Sequence, residues 1–397
     1  MITTPITAAL VSGIAELEHT ERGVRPHRLP AWVRTGYADA QLLSVESQPS
    51  GARMVFTTRA ARLELQTHPS RTVFRGVERP RGRLDVFVDG RFRMSDVLTG
   101  GDVTEIDLQS GTSSVRQGES HTTVVDLTEA AADGVEVERL VEIWLPHNEA
   151  VELIALRGDA PVEAMPGRDS EDSPADARLR WLHHGSSISQ GSNADGPSEI
   201  WPSVAARRAG VSLHNLGFGG SALVDPFMAR VIRDLPADVI SVKLGINVVN
   251  LDAMRVRAFV PAVQGFIDTI RDGHPNTPLL LVSPIYCGIH EHTAGPGAID
   301  PAGLAAGRAR FLATGEPGDE AQGRLTLSVI RRELRALVER RADDANLHYL
   351  DGTTLYGLAD AETLPLPDNL HPDAATHELI GSRFAAHAFG PSGPLAR

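Results

Sequence analysis

Five short runs rich in Val, Ile and Leu recur in the second half of the chain, at residues 179–183, 213–216, 239–244, 278–282 and 347–350. Their length and apolarity suit strands covered on both faces. Longer segments at 199–209, 226–234, 253–272, 325–342 and 372–389 carry helical periodicity and alternate with them. Alternation of this kind leaves few solutions, and the favoured one is a parallel sheet with helices on both faces. Ligands of such sheets bind at the carboxyl ends of the strands. The residues that follow each run are therefore the candidates for chemistry.

The first half reads differently. Residues 53–57 and 62–66 alternate with period two, and Leu84, Val86 and Val88 face one way with Asp85 and Phe87 between them. Asp89-Gly90 is a hairpin turn, and 91–94 returns from it. Further strand-like runs at 122–127, 135–145 and 149–156 suggest an all-β sandwich. Between the halves lies 166–176, Pro-Gly-Arg-Asp-Ser-Glu-Asp-Ser-Pro-Ala-Asp, polar, acidic and rich in breakers. The expected layout is a jelly-roll-like accessory sandwich over 1–165, a linker over 166–177 and an α/β domain over 178–397. The sandwich could bind a sugar, wall off part of a cleft or serve as packing alone, and His68, His121 and His147 read as surface or hydrogen-bonded residues.

The formal net charge of −13 disfavours nucleic acid and anionic membranes as main partners. The single cysteine, Cys287, cannot form an intrachain disulfide and reads as a small buried residue. The first residues carry no positive charge ahead of their short apolar run, and Glu16 and Glu18 interrupt it, so they make a poor secretory signal. No apolar run reaches the roughly 18 residues of a membrane span. The expectation is a cytoplasmic protein.

Four stretches fall where strands should end. His-His-Gly-Ser-Ser-Ile-Ser-Gln-Gly, 183–191, turns from the first strand towards a helix and places a serine hydroxyl near unpaired helix N–H groups. Asn215-Leu216-Gly217-Phe218-Gly219-Gly220-Ser221 follows the second strand, and its glycines let backbone N–H groups approach a ligand. Gly245-Ile246-Asn247 follows the third and can offer a side-chain N–H to the same atom. Asp368-Asn369-Leu370-His371-Pro372 precedes the last helix, and its Asp and His, three apart, can lean together. Each alone is ordinary punctuation; together, at one sheet edge, their roles complement one another.

The order Gly-x-Ser-Ile-Ser, Gly, Gly-x-Asn, Asp-x-x-His resembles the SGNH (GDSL-type) serine hydrolases, over about 178–389. The resemblance implies a flavodoxin-like three-layer α/β/α domain. It implies Ser187 as nucleophile, His371 as base and Asp368 as the residue orienting the imidazole. It also implies an oxyanion hole from the N–H groups of Ser187 and Gly220 and the side chain of Asn247, with no cofactor and no metal. Ser186 stands where the family carries an acidic residue, and Val248 where it often has Asp. No Gly-x-Ser-x-Gly elbow is present, which argues against the other large α/β hydrolase class. The two-domain layout is similar to certain carbohydrate esterases, and more so to an actinobacterial group that includes a salicylyl acyltransferase of tetracycline-type polyketide biosynthesis. The implied activity is that of an esterase for a small O-acyl ester. The alternatives are an acyltransferase from acyl-CoA to a natural-product hydroxyl, and a non-catalytic binding protein. His290, Glu291 and His292 lack His-Glu-x-x-His spacing and read as solvated loop or pocket lining within a long insertion, 287–323.

Overall fold

The structure, a computed structural model, describes residues 1–76, 79–107, 110–128, 137–165, 178–305, 308 and 310–396. The predicted linker 166–177 and the start of the strand predicted at 135–145 lie outside the described residues. The chain divides into two compact units. One comprises Met1–Ala31, Leu43–Arg178 and Gly196–Ser198; the other comprises Trp32–Leu42, Leu179–Asp195 and Glu199–Arg397.

Among its described residues the first unit is a β-sandwich. One sheet contains Arg62–Phe74, Asp102–Ile106, His121–Asp126 and Ala150–Gly158; the other contains Arg53–Thr58, Arg83–Val88, Arg91–Val97 and Arg139–Trp144. The pairings are antiparallel except that of Arg62–Phe74 with Asp102–Ile106. Alternation sets the inner faces. In His121–Asp126 every second residue is buried, and Val125 meets Leu63, Leu65, Met54, Phe56, Val86 and Ile143 in one core. Asp89 and Gly90 both take positive φ, 49° and 75°, as a tight hairpin requires. His68 and His121 are buried; His68 Nδ1 lies 3.4 Å from Ser120 Oγ and its Nε2 lies 3.1 Å from Asp102 without hydrogen-bond geometry, while His121 Nε2 is hydrogen-bonded to Asp96 at 2.9 Å.

The second unit is built on five parallel strands, Arg180–Gly185, Ser212–Gly217, Val239–Lys243, Leu279–Val282 and Leu347–Leu350. Their spatial order is second, first, third, fourth, fifth. This is the flavodoxin-like order, whose switch point lies between the first and third strands. Side-chain alternation along the first strand separates the two helical layers. Trp181 and His183 pack on Trp201 of helix Trp201–Ala209, and Trp181 stacks on Phe384 of helix Ala374–Phe389 at 5.1 Å. His184 points the other way, onto Phe266 of helix Val256–Gly273.

Helix boundaries follow local chemistry. Thr326 caps Leu327–Arg340 by accepting from the Val329 N–H. Asp373 caps the last helix by accepting from the Thr376 N–H, so that helix starts at Ala374, two residues past the Pro372 start read from the sequence. Among the described residues, no helix is long and apolar enough to cross a membrane.

Lys243 ends the central strand and is 3% exposed. Burial pushes its pKa down to about 8, with Cys287 pulling it up and Arg331 pushing it further down. A lowered lysine pKa means the unfolded chain binds more protons between about 8 and 10.5. The charged lysine thus destabilises the fold fully below pH 8, and this cost fades as pH rises towards 10.5. The shift corresponds to about 3 kcal/mol. Lys243→Met is therefore expected to raise stability at pH 7 by roughly 1–3 kcal/mol in urea unfolding, with the gain shrinking at pH 10. A less stable variant at pH 7 would contradict this reading.

Candidate active site

The first strand stops at Gly185, Ser186 stays extended, and a single turn of helix, Ser187–Gln190, begins at once. Two glycines let that turn settle onto the sheet edge. A Cβ at Gly217 would lie 2.5 Å from the Gln190 nitrogen, and one at Gly185 would lie 2.3 Å from Ser189 Oγ. A buried relay fixes the turn from beneath. Trp181 Nε1–H donates to Ser241 Oγ at 2.8 Å, Ser241 Oγ lies 2.7 Å from His183 Nδ1, and His183 Nε2 lies 2.8 Å from Ser189 Oγ. Burial, then the charges of His184 and Lys243, hold His183 well below the ordinary histidine range, so the ring is neutral and one of its two nitrogens donates while the other accepts.

Half-buried Ser187 meets His371 across the sheet edge, with Oγ 2.9 Å from Nε2. His371 Nδ1 lies 2.7 Å from Asp368 Oδ2. The other carboxylate oxygen accepts from the N–H groups of Leu370 at 2.9 Å and His371 at 2.7 Å, so the three-residue spacing closes the turn on itself. Burial pushes the Asp368 pKa up. The hydrogen bonds and charge of His371 and the two amides outweigh that and hold the group below the usual carboxylate range. Asp368 is therefore an ionised acceptor, which fixes Nδ1–H as the donor and leaves Nε2 to face the serine.

Gly220 and Asn247 lie where the second and third strands end. Gly220 has φ 72°, a conformation that favours glycine. Hydrogen bonds brace the turns that carry them. Gln190, at the end of the Ser187 turn, accepts the Gly219 N–H at 2.7 Å through Oε1, and Asn247 Oδ1 accepts the Ala222 N–H at 3.1 Å. With its oxygen engaged, the buried Asn247 amide offers its NH2 as a donor.

Several partners carry no local sequence signal. Asn193 donates to Asp368 Oδ2 at 3.3 Å. Within the insertion, Gly297–Ile299 pairs with Phe311–Ala313, and this hairpin clasps the Asp368–His371 turn. The Phe311 N–H donates to the Asp368 carbonyl at 2.9 Å, Asn369 Nδ2–H donates to the Phe311 carbonyl at 3.1 Å, and the Phe311 ring lies edge-on to His371 at 5.6 Å. Cys287 is buried and donates to the Asn369 carbonyl, and burial pushes its thiol pKa up to about 12. His290, Glu291 and His292 turn to three different partners, Asn250, Arg331 and Ser328. No group of residues that could hold a metal ion occurs among the described residues.

Residues 184–379, which span this site, match the GDSL-like lipase/acylhydrolase family. The chain carries a GDSL-like lipase/acylhydrolase domain. A salicylyl-acyltransferase from a tetracycline biosynthetic pathway is similar over 96% of this chain and 95% of its own, at 26% identity and TM-score 0.75. A protein described as a GDSL-like lipase from Bacteroides ovatus is similar over 94% and 93%, at 17% identity and TM-score 0.64. A family two carbohydrate esterase from Clostridium thermocellum is similar over 85% and 90%, at 15% identity and TM-score 0.53. At the last two identities the likeness speaks for the fold. A search of curated proteins finds no match. The GDSL-like family match and the likeness to the acyltransferase make the chain an enzyme of this type.

Asp368→Asn is expected to leave the fold intact and slow ester turnover by about 10³–10⁴-fold, because the amide can turn its NH2 towards Nδ1 and favour the wrong tautomer. Thermal unfolding beside steady-state kinetics checks this. Lost stability with no specific loss of rate would make the carboxylate a fold element instead.

Proposed function

We propose that this protein is a serine-dependent acyl-ester enzyme that forms an acyl-enzyme on Ser187 and hydrolyses a small O-acyl ester. The observation that carries the reading is the unbroken series Ser187 Oγ, His371 Nε2, His371 Nδ1, Asp368 Oδ2, with contacts of 2.9 and 2.7 Å. His371 Nε2 takes the proton of Ser187 as Oγ attacks the acyl carbonyl. The new C–O bond pushes the carbonyl electrons onto oxygen. That oxyanion is received by the N–H groups of Ser187 and Gly220 and by Asn247 Nδ2–H. Collapse expels the alcohol or thiol, which takes the proton from His371. A second nucleophile, deprotonated by the same imidazole, then releases the acyl group. Water as that nucleophile gives hydrolysis.

A hydroxyl compound in place of water gives acyl transfer, and one observation favours this second reading. The likeness to the salicylyl-acyltransferase runs through both units of the chain, with the higher identity and TM-score of those compared. On that reading the donor is an acyl-CoA and the acceptor a hydroxyl of a small natural product. Neither reading requires a cofactor.

Two measurements test the proposal. Ser187→Ala is expected to abolish turnover of an activated ester, and Asn247→Ala to lower kcat by about 10²–10³-fold. Wild-type behaviour of Asn247→Ala would remove it from the oxyanion hole. Intact-mass analysis after mixing with acyl-CoA is expected to show one acyl adduct that Ser187→Ala lacks. Adduct decay to free acid supports the esterase, and decay dependent on an added hydroxyl compound supports the transferase.

A further inference from the structure

The proposed oxyanion donor at Gly220 sits in a Gly-Gly pair, and such a pair restrains its own peptide poorly. Neither residue has a Cβ, so the Gly219–Gly220 plane can rotate at little steric cost. A donor that works by preorganisation cannot be left so free. Within the turn Ser221 Oγ reaches the Gly219 carbonyl only at 3.4 Å, and a shorter restraint comes from outside it. Gln41 Nε2–H donates to the Gly219 carbonyl oxygen at 2.9 Å, and a Cβ built on Gly220 would lie 3.5 Å from the same nitrogen.

The Gly219 carbonyl and the Gly220 N–H belong to one peptide unit. In a trans peptide they point in opposite directions. Holding the carbonyl from behind therefore aims the N–H forward, and polarising the carbonyl makes that N–H a stronger donor. On the preceding peptide, Gln190 Oε1 holds the Gly219 N–H at 2.7 Å. The turn is thus clamped on both sides of Gly219.

Gln41 is itself held in place. Asp39 Oδ1 accepts the Leu42 N–H at 2.7 Å at the start of helix Ala40–Glu46. The same segment, Trp32–Leu42, belongs to the compact unit that contains the parallel sheet. Its aromatic side chains grip helix Pro226–Asp234, which follows the glycine turn. Tyr37 packs on Phe227 at 5.8 Å, and the Arg230 guanidinium lies over Trp32 at 5.2 Å and over Tyr37 at 4.9 Å.

We propose that Gln41 is a positioning residue for acyl transfer chemistry, orienting the Gly219–Gly220 peptide so that the Gly220 N–H faces the developing oxyanion. The role rests on the Ser187 reading above. It assigns a part in the chemistry to a segment that lies well outside residues 184–379 in sequence.

The full chain is assayed on an activated acetyl ester as Gln41→Glu, Gln41→Lys and Ser187→Ala, with melting temperatures measured alongside. Gln41→Glu keeps the shape and removes the donor. It is expected to lower kcat by about 3- to 10-fold with KM and melting temperature unchanged, the scale of one neutral hydrogen bond. Gln41→Lys restores an N–H donor and is expected to recover most of the rate. Wild-type kcat in Gln41→Glu overturns the proposal, as does a change confined to KM. A parallel loss of rate and melting temperature in both Gln41 variants also overturns it, by making the contact a structural strap. Turnover by Ser187→Ala overturns the underlying reading instead. An inactive Ser187→Ala beside a fully active Gln41→Glu overturns this inference alone.

Discussion

The hydrogen bond from Ser187 to His371 joins residues 184 positions apart, and the rest of the second unit is arranged to make it short. Neither residue is placed by its neighbours in sequence alone. The serine is set by where the first strand stops and by the glycines that let the next turn sit close. The histidine is set by a turn whose carboxylate is consumed by its own backbone and ring. Parallel strands with both faces covered leave only their ends free, so the chemistry falls at the carboxyl edge.

The sequence is most legible where a residue's role is local. All five parallel strands were expected within a residue or two of their observed positions, because buried strands leave a compact apolar signal. Ser187, Asp368 and His371, which the structure joins by hydrogen bonds, are marked in the sequence because a strand-end Ser turn and Asp-x-x-His spacing are written in a few adjacent letters. The sandwich was legible as a class from alternation. The parallel pairing of Arg62–Phe74 with Asp102–Ile106, the one such pairing among the sandwich's described residues, was not, since pairing partners leave no local trace.

What the sequence concealed is the support around those residues. The His183–Ser241–Trp181 relay is spread over strands that only the fold makes adjacent. Phe311 lies in an insertion rich in Gly, Pro and Ala, and its contact with His371 depends on a two-stranded hairpin too short to show periodicity. Gln41 is a polar residue on a short helix ahead of most of the sandwich strands, and nothing near it hints at a glycine turn 178 positions on. Such residues act through tertiary contact, and that is information a local pattern does not hold.

Reaction with a fluorophosphonate, followed by peptide mapping, tests the central claim most directly. Covalent capture needs a hydroxyl activated by the imidazole and an oxyanion site to receive the phosphonyl oxygen. The account predicts a single adduct on Ser187 in the folded protein that is lost in His371→Ala. An unlabelled Ser187, or equal labelling with and without His371, would contradict it.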